Sequence, residues 1–560
     1  MKRFIHFTLV LALAIGVVSC KKDDIVNTAK ETTKDVPTVK NLPPKQKITL
    51  SASSTKSGLR VAYDASKGTD VTDDNTLWEE NDQIAVYNVG VNGAPAIFTL
   101  VDGAGTSYGT FEGVIEPTGN YYGVYPASAA GMLDGTSIAI TLPKNQNYAE
   151  GSFGTDAAVF AATYDAPNDV LKFEPLLGYL SLSLTTPSNT SRDANSIVGG
   201  HSVGSIVLHE NSLGGISLSG NATVDMSSDI PKFISAPAGG GLDVTLNCPS
   251  VQLTSSPTEF IIAVPAGAFS KGLCATVNGT DGKKIMSLAT TTPNVITTNY
   301  ITKLPAQDVY NIEDIEGNKY PVAKIGSYVW TAENIKSLRY DTQSGCTDVV
   351  IENQFGRHDY NPLYIDPSNT SLWDPNDGEL KNPLDYNAVF AQKSKFGYLY
   401  NWTAAVGLKD DEAAYAQTED FDGDRQGICP NGWHVPTADE YYDYLCVYVD
   451  NGLTPEDGNP AYVAGTFLKS VDGWSYVEAG DGFDQGTDDF GFSALPAGEY
   501  IANQYAQEIG WVAYLWTSSP SSVSYLYAWI FSLYNFNPMF GYSSKQSKSV
   551  GRSVRCLKNY

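Results

Sequence analysis

A chain of 560 residues is too long for one hydrophobic core, so several domains are expected. Hydrophobic residues at 42 % allow real cores, and a net charge of −26 makes an acidic surface that repels nucleic acid and anionic lipid, which excludes nucleic-acid partners. The 34 tyrosines suit both strands and stacking surfaces, so their number alone leaves both readings open.

The first element is a leader over 1–19. Met1-Lys2-Arg3 is a basic start, an apolar run follows to Val18, and Ser19-Cys20 closes it, as in a secretory signal peptide. The run is too short for a good membrane-spanning helix, and no second run of spanning length follows. Cys20, just after the cut, is the residue that bacterial lipoproteins acylate. Each buried methylene of such a chain adds about 0.8 kcal/mol of anchoring. Cys20-Lys21-Lys22-Asp23-Asp24 resembles the lysine-plus-acidic-pair export signal of surface lipoproteins in the Bacteroidota, which implies lipid-anchored display on the outer face of the outer membrane. Residues 20–46 are polar, rich in Lys, Asp, Thr and Pro, and without periodicity, which predicts a flexible tether.

From Lys47 the text becomes short strands broken by Gly, Asn, Asp and Pro. Runs at 83–87, 121–125 and 180–184 read as strands, and helical periodicity is almost absent up to about residue 310. This pattern predicts β-sandwiches. Three segments carry a resemblance. Leu77-Trp78-Glu79-Glu80-Asn81-Asp82-Gln83-Ile84-Ala85-Val86-Tyr87, then Tyr122-Gly123-Val124-Tyr125-Pro126, then Leu142-Pro143-Lys144-Asn145-Gln146 are similar in type and order to segments of fimbrillin-like proteins. Residues 173–184, 216–220 and 260–267 fit the family's later strands. The resemblance implies two consecutive β-sandwiches, over 47–172 and 173–308, in a lipoprotein pilus subunit that polymerises by strand exchange. A sandwich lacking one strand exposes an apolar groove and unpaired backbone, and a neighbour's strand fills both needs. In the family a protease removes the first strand after a basic residue. Here Lys47-Ile48-Thr49-Leu50-Ser51-Ala52-Ser53 alternates as a strand should, and Arg60 is the candidate cleavage point, although Gly58-Leu59-Arg60-Val61-Ala62 departs from the family's usual Thr-Arg-Thr.

Near residue 310 the composition shifts and aromatics become frequent. Thr437-Ala438-Asp439-Glu440 behind Pro436 predicts a capping box, with Tyr441, Tyr444, Leu445 and Tyr448 recurring at helical spacing. Phe396-Gly397-Tyr398-Leu399-Tyr400-Asn401-Trp402, Gly427-Ile428-Cys429-Pro430-Asn431-Gly432-Trp433-His434-Val435-Pro436, Phe490-Gly491-Phe492-Ser493-Ala494-Leu495-Pro496-Ala497-Gly498, Trp516-Thr517-Ser518-Ser519 and Ser553-Val554-Arg555-Cys556 complete a series. In this order they resemble the Fibrobacter succinogenes major paralogous domain, which implies a C-type-lectin-like α+β unit over 309–560. The fold expected for the whole is therefore mainly β: two consecutive β-sandwiches followed by an α+β C-type-lectin-like domain. Within the last module Cys429 and Cys556 bracket the core and are expected to pair, tying the helix start to the last strand. Closing so long a loop is worth about 4–5 kcal/mol on the chain-entropy model. Cys248 with Cys274, and Cys346 with Cys446, are the further pairings expected. The six cysteines other than Cys20 show no Cys-x-x-Cys or zinc-like spacing and are read as structural.

Little in the chain points to catalysis. There is no His-Glu-x-x-His, no nucleophile elbow and no carboxylate pair that stands out, so an enzyme is not expected and a glycan-active one ranks last. His434 reads as a packed structural histidine. Asp420-Phe421-Asp422-Gly423-Asp424 resembles the start of a calcium loop, but Arg425 stands where such a loop needs Gly and Asn431 where it needs Glu. Calcium held by Asp420, Asp422 and Asp424 in another geometry is the one cofactor to weigh against a solvated acidic turn. Asp481, Asp484, Asp488 and Asp489 form a second acidic loop. The sugar-binding triplets of calcium-dependent lectins do not occur in the module, so the fold alone does not license sugar binding. Tyr505, Trp511, Tyr514 and Tyr525 are read as either a stacking surface or core. The expected role is a surface adhesin at the tip, or an accessory position, of a fimbrillin-type pilus. Its partners are pilin subunits or the outer-membrane surface, and its ligand is a glycan or a protein. The alternative is a non-polymerising surface lipoprotein that captures glycan or peptide.

Overall fold

The computed structural model describes residues 42–54, 77–154, 157–187, 201–210, 216–239, 241–310, 312–341, 364–365, 396–408, 425–453, 463–475, 485–501 and 506–559. Cys20, Arg60, Cys346, Asp420, Asp422, Asp424, Asp481, Asp484 and Tyr505 lie outside them. The fold is mainly β, as the strand-like text predicts.

Seven strands close on themselves at the N-terminal side. In order around the barrel they are Gln46–Ser54, Tyr108–Ile115, Ala96–Asp102, Gln83–Asn88, Tyr121–Tyr125, Phe160–Asp165 and Val170–Pro175, which returns to Gln46–Ser54. The interior is organised by Trp78, with the rings of Phe111, Tyr125 and Phe173 meeting it edge-on at 4.7, 5.6 and 5.7 Å. Edge-on contacts set the positive rim of one ring against the negative face of the next, which adds to the burial of these large groups.

The sheets cross the sequence boundary at 172/173. Ser137–Leu142 alternates and buries only Ile138, Ile140 and Leu142, so it needs a partner for one face and one edge. It finds the edge on Gly220–Asp225, in a four-stranded sheet completed by Lys232–Gly239 and Ala130–Asp134. Asn145–Ala149 joins Asp243–Gln252 in parallel. The second unit packs a sheet of Leu177–Thr185, Thr258–Pro265 and Ile301–Lys303 near one of Ser202–His209, Asp243–Gln252, Cys274–Gly279 and Lys284–Ala289. Leu177–Thr185 is buried on both faces. Leu180, Leu182 and Leu184 enter one core, while Leu177 and Tyr179 enter the core shared with the barrel. Its sequence is near-continuously apolar only at the start; from Leu180 on, Leu alternates with Ser181 and Ser183.

The second of these sheets does not stop at residue 308. Lys284–Ala289 pairs in parallel with Val322–Ile325, register Met286 to Val322 through Ala289 to Ile325. The sheet then continues through Tyr328–Thr331 and Leu557–Lys558 to Trp433–His434, giving ten strands in one ladder. The C-terminal part adds a meander of Val512–Pro520, Tyr527–Tyr534 and Asn537–Ser547, and short helices at Trp402–Val406, Glu440–Val447, Tyr448–Leu453 and Ala464–Leu468. The expected capping box is formed: Glu440 N–H donates to Thr437 Oγ1 at 3.1 Å and Thr437 N–H to Glu440 Oε2 at 2.7 Å. The helix that follows winds in π fashion over Glu440–Val447 before tightening to α.

Side chains lock this junction. Lys284 Nζ donates to Ser493 Oγ at 2.6 Å and pairs with Asp488 Oδ2 at 3.2 Å. Gly491, at φ +67°, lies so close to the neighbouring strand that an added Cβ would sit 2.1 Å from Ser287 Cβ. Gly491→Ala is expected to cost about 2–3 kcal/mol, from backbone strain and overpacking together. Thermal unfolding of that variant, and of the double variant with Ser287→Gly, checks this. The second change should recover part of the loss, and no recovery would mean that contact with Ser287 is not the cause.

Glu210, next to the junction, is 1 % exposed. Burial pushes its carboxyl up from 4.5 to about 7, against the opposing pull of the Phe269 N–H. The folded state therefore holds a proton that the unfolded chain releases near pH 4.5. The stability this confers is complete below that pH and falls as pH rises through 7, by about 3 kcal/mol. Glu210→Gln should flatten the stability profile between those pH values in denaturant titrations. An unchanged slope would assign it to another group.

Candidate functional site

Two surfaces suit binding. The first is the seat of Gln46–Ser54. This strand is hydrogen-bonded along both edges, antiparallel to Tyr108–Ile115 and parallel to Val170–Pro175. Its alternation turns Leu50 and Ala52 into the barrel, with Ile48 packed against the same core, and leaves Lys47 outside, where it pairs with Glu112 Oε2 at 2.5 Å. Taking the strand away would bare two strand edges and an apolar slot about 30 Å long.

The second lies in the C-terminal part, on a rigid frame. Cys429 and Cys556 are joined by a disulfide, with Cα atoms 5.8 Å apart. Beside it His434, 1 % exposed, places Nδ1 2.7 Å from Asn559 Oδ1 and Nε2 3.1 Å from Glu440 Oε1. Burial alone would raise the Glu440 carboxyl, but His434 and Thr437 stabilise its charge and hold it below the usual range. His434 is enclosed between Asn559 and Glu440, so it ties the helix start to the end of the chain's last strand. Arg555 is fully buried. It donates to Asn334 Oδ1 at 2.6 Å and to the carbonyls of Thr331, Phe492 and Ser493 at 2.8, 2.7 and 2.7 Å.

The other expected disulfides are corrected. Cys248 and Cys274 are separate buried thiols. Asp243 and Cys274 both oppose His209, and Cys248 lies an odd number of residues beyond Asp243, so the two side chains face opposite sides of the sheet. They enter different cores, Cys248 with Leu246 and Cys274 with Ala323 and Ile325. Cys446 is also unbridged, packed in an apolar core. Burial pushes the Cys248 thiol up to about 12 and those of Cys274 and Cys446 well above their usual range, so none is a ready nucleophile.

Of the second acidic loop, Asp488 and Asp489 are described. Asp488 accepts from Ser493 N–H at 2.6 Å and pairs with Lys284, and Asp489 lies 3.9 Å from His209 Nδ1. Among the described residues no three His, Cys, Asp or Glu side chains gather as a metal site.

Tyr514 and Tyr525, two of the aromatics named from sequence, lie on different elements. Tyr514 is half-buried, donates to Glu508 Oε2 at 2.8 Å and lies under the Arg552 guanidinium, while Tyr525 is 49 % exposed on a separate turn. The exposed ring face lies elsewhere, where helix Glu440–Val447 meets the outer meander. Tyr442 and Tyr542 are 44 % and 37 % exposed, with centroids 5.9 Å apart. Trp529 lies 4.5 Å from Tyr542, and Phe540 6.0 Å from Tyr442. Burial raises the Tyr542 hydroxyl, and the neighbouring carboxylates of Asp439 and Asp443 raise it further. Phe540 and Tyr542, two apart on one strand, carry a period-2 signal for part of this face, and Trp529 and Tyr442 come from other elements.

A smaller cleft of about 220 Å³ opens beside the junction between Leu182, Leu288, Leu304 and Lys324. It is below the usual size of a ligand pocket, and Lys324 Nζ is already held by Gln307 Oε1 at 2.7 Å.

Residues 323–558 match the Fibrobacter succinogenes major domain. No curated protein matches the chain. Among solved structures it is similar to a candidate cell adhesion protein from Bacteroides uniformis, at 13 % identity over 47 % of this chain and 93 % of that one, with a TM-score of 0.28. It is also similar to a fimbrial protein from Bacteroides ovatus, at 10 % identity over 92 % of this chain and 100 % of that one, with a TM-score of 0.23.

Proposed function

We propose that this chain, whose C-terminal part carries a Fibrobacter succinogenes major domain, is a surface-exposed lipoprotein acting in cell adhesion and not an enzyme. In this reading it is a tip or accessory subunit of a pilus assembled by strand exchange, with the C-terminal part presenting the ligand-binding surface. The observation that carries it is the seat of Gln46–Ser54. One strand near the start of the folded region occupies a slot between two others, and it precedes the basic residue Arg60. Cleavage there would convert a closed barrel into an acceptor for a neighbour's strand, with both the backbone and the apolar slot unsatisfied until it arrives. Leu557–Lys558 is paired on both edges and follows the bridged Cys556, so these residues are not free to leave as a donor strand. That combination suits a subunit that accepts and does not donate from this stretch.

The alternative, a lipoprotein that stays on the membrane and captures its ligand without polymerising, is favoured by one observation. With Gln46–Ser54 in place the barrel is complete and leaves no strand edge for a partner. Surface fibres purified from native cells separate the two. The pilus reading expects this chain in the fibres with an N-terminus just after Arg60. A chain missing from fibres, with acylated Cys20 intact, overturns it and favours the tethered receptor.

A further inference from the structure

We propose that the ring face formed by Tyr442, Tyr542 and Trp529 is a docking surface for a basic polypeptide segment, whose lysine and arginine side chains lie on the rings beside Asp439 and Asp443. This names the partner class of the outward surface in the adhesion reading and rests on that reading for its biological setting.

Three observations carry it. First, four other rings of the C-terminal part are covered by cations of the chain itself. Lys548 Nζ lies 4.0 Å over Trp402, the Arg552 guanidinium 4.7 Å over Trp516, that of Arg555 4.8 Å over Phe492 and Lys469 Nζ 5.3 Å over Trp474. Among the described residues no cation sits over Tyr442, Tyr542 or Trp529, although their rings cluster at the surface. Second, two carboxylates, those of Asp439 and Asp443, act on Tyr542. Asp439 and Asp443 are exposed, and neither has an ion-pair partner among the described residues. The negative face of a ring and a nearby carboxylate attract the same group, a cation whose alkyl stem also covers apolar surface. Third, the net charge of −26 draws cationic partners toward the molecule as a whole. The Tyr442 and Tyr542 hydroxyls and the Trp529 indole N–H can donate to a sugar's hydroxyl oxygens, so the rings alone admit a glycan, and the exposed carboxylates of Asp439 and Asp443 are what favour a cation.

The test uses the chain without its leader and a short fluorescent peptide of lysine and glycine, with a glutamate–glycine peptide of equal length as control. Saturable binding of the lysine peptide, weakening with added salt, is expected. Tyr442→Ala should weaken it about three- to tenfold. Asp439→Asn with Asp443→Asn should weaken it by a similar factor and shallow the salt dependence. All three positions are exposed, and an unchanged unfolding midpoint confirms that the variants fold. Absence of lysine-peptide binding, equal binding of the glutamate peptide, or unchanged affinity in the folded variants overturns the proposal. A neutral glycan bound through Tyr442 would overturn the basic partner and leave adhesion standing. The fibre experiment fails or succeeds independently of all of these.

Discussion

Replacing Cys429 and Cys556 together with serine is expected to lower the stability of the C-terminal part by about 5 kcal/mol. The bond spans 127 residues, and the entropy restored to the unfolded chain grows with the logarithm of that loop. Both cysteines are buried, and the bond joins the segment before the capped helix to the residue leading into Leu557–Lys558, the chain's last strand. Its loss releases two elements at once. His434, Glu440 and Asn559 bridge the same two elements by hydrogen bonds, so the variant should retain a native fold at low temperature and lose it on heating. Denaturant unfolding with and without reductant measures the difference. Equal midpoints for the oxidised and reduced wild type would refute the prediction.

Arg555→Ala should be nearly as damaging, at about 3–5 kcal/mol. The side chain is fully buried, and its guanidinium serves four acceptors drawn from Thr331, Asn334, Phe492 and Ser493. Truncation strands those oxygens without water and opens a void the size of the side chain. Lysine is not a remedy, since a single ammonium cannot reproduce the planar fork that reaches acceptors on both sides. Arg555→Lys is therefore expected to recover less than half of the loss. The comparison of the two variants by thermal unfolding decides whether the fork or the charge matters.

Much of the frame was legible in the sequence. Thr437 and Glu440 announce a capping box because each side chain can satisfy the other's orphan N–H, a local rule that tertiary context did not overturn. Cys429 and Cys556 became a pair only through the resemblance of the module around them. Cys248 and Cys274 misled because proximity along a sheet depends on register and face, and neither can be read from spacing alone. The barrel was readable as strands but not as a closed ring, since closure rests on Gln46–Ser54 meeting Val170–Pro175 across more than a hundred residues. The ring face was hidden for a different reason. Tyr442 belongs to a helix and Trp529 and Tyr542 to two strands, so no single period unites them.

The parallel pairing of Lys284–Ala289 with Val322–Ile325 bears on how the molecule can be divided and loaded. The family match begins at residue 323, inside a strand rather than in a linker. A fragment cut there would carry a raw sheet edge where four registered residue pairs had been, and with it a tendency to stick to other copies. In the intact chain the same joint works like a weld. A pull on the outer meander reaches the second unit through laterally bonded backbone, as shear shared among several bonds, and not through a hinge. Because Lys284–Ala289 and Val322–Ile325 belong to one ladder, a load on either side is borne by both.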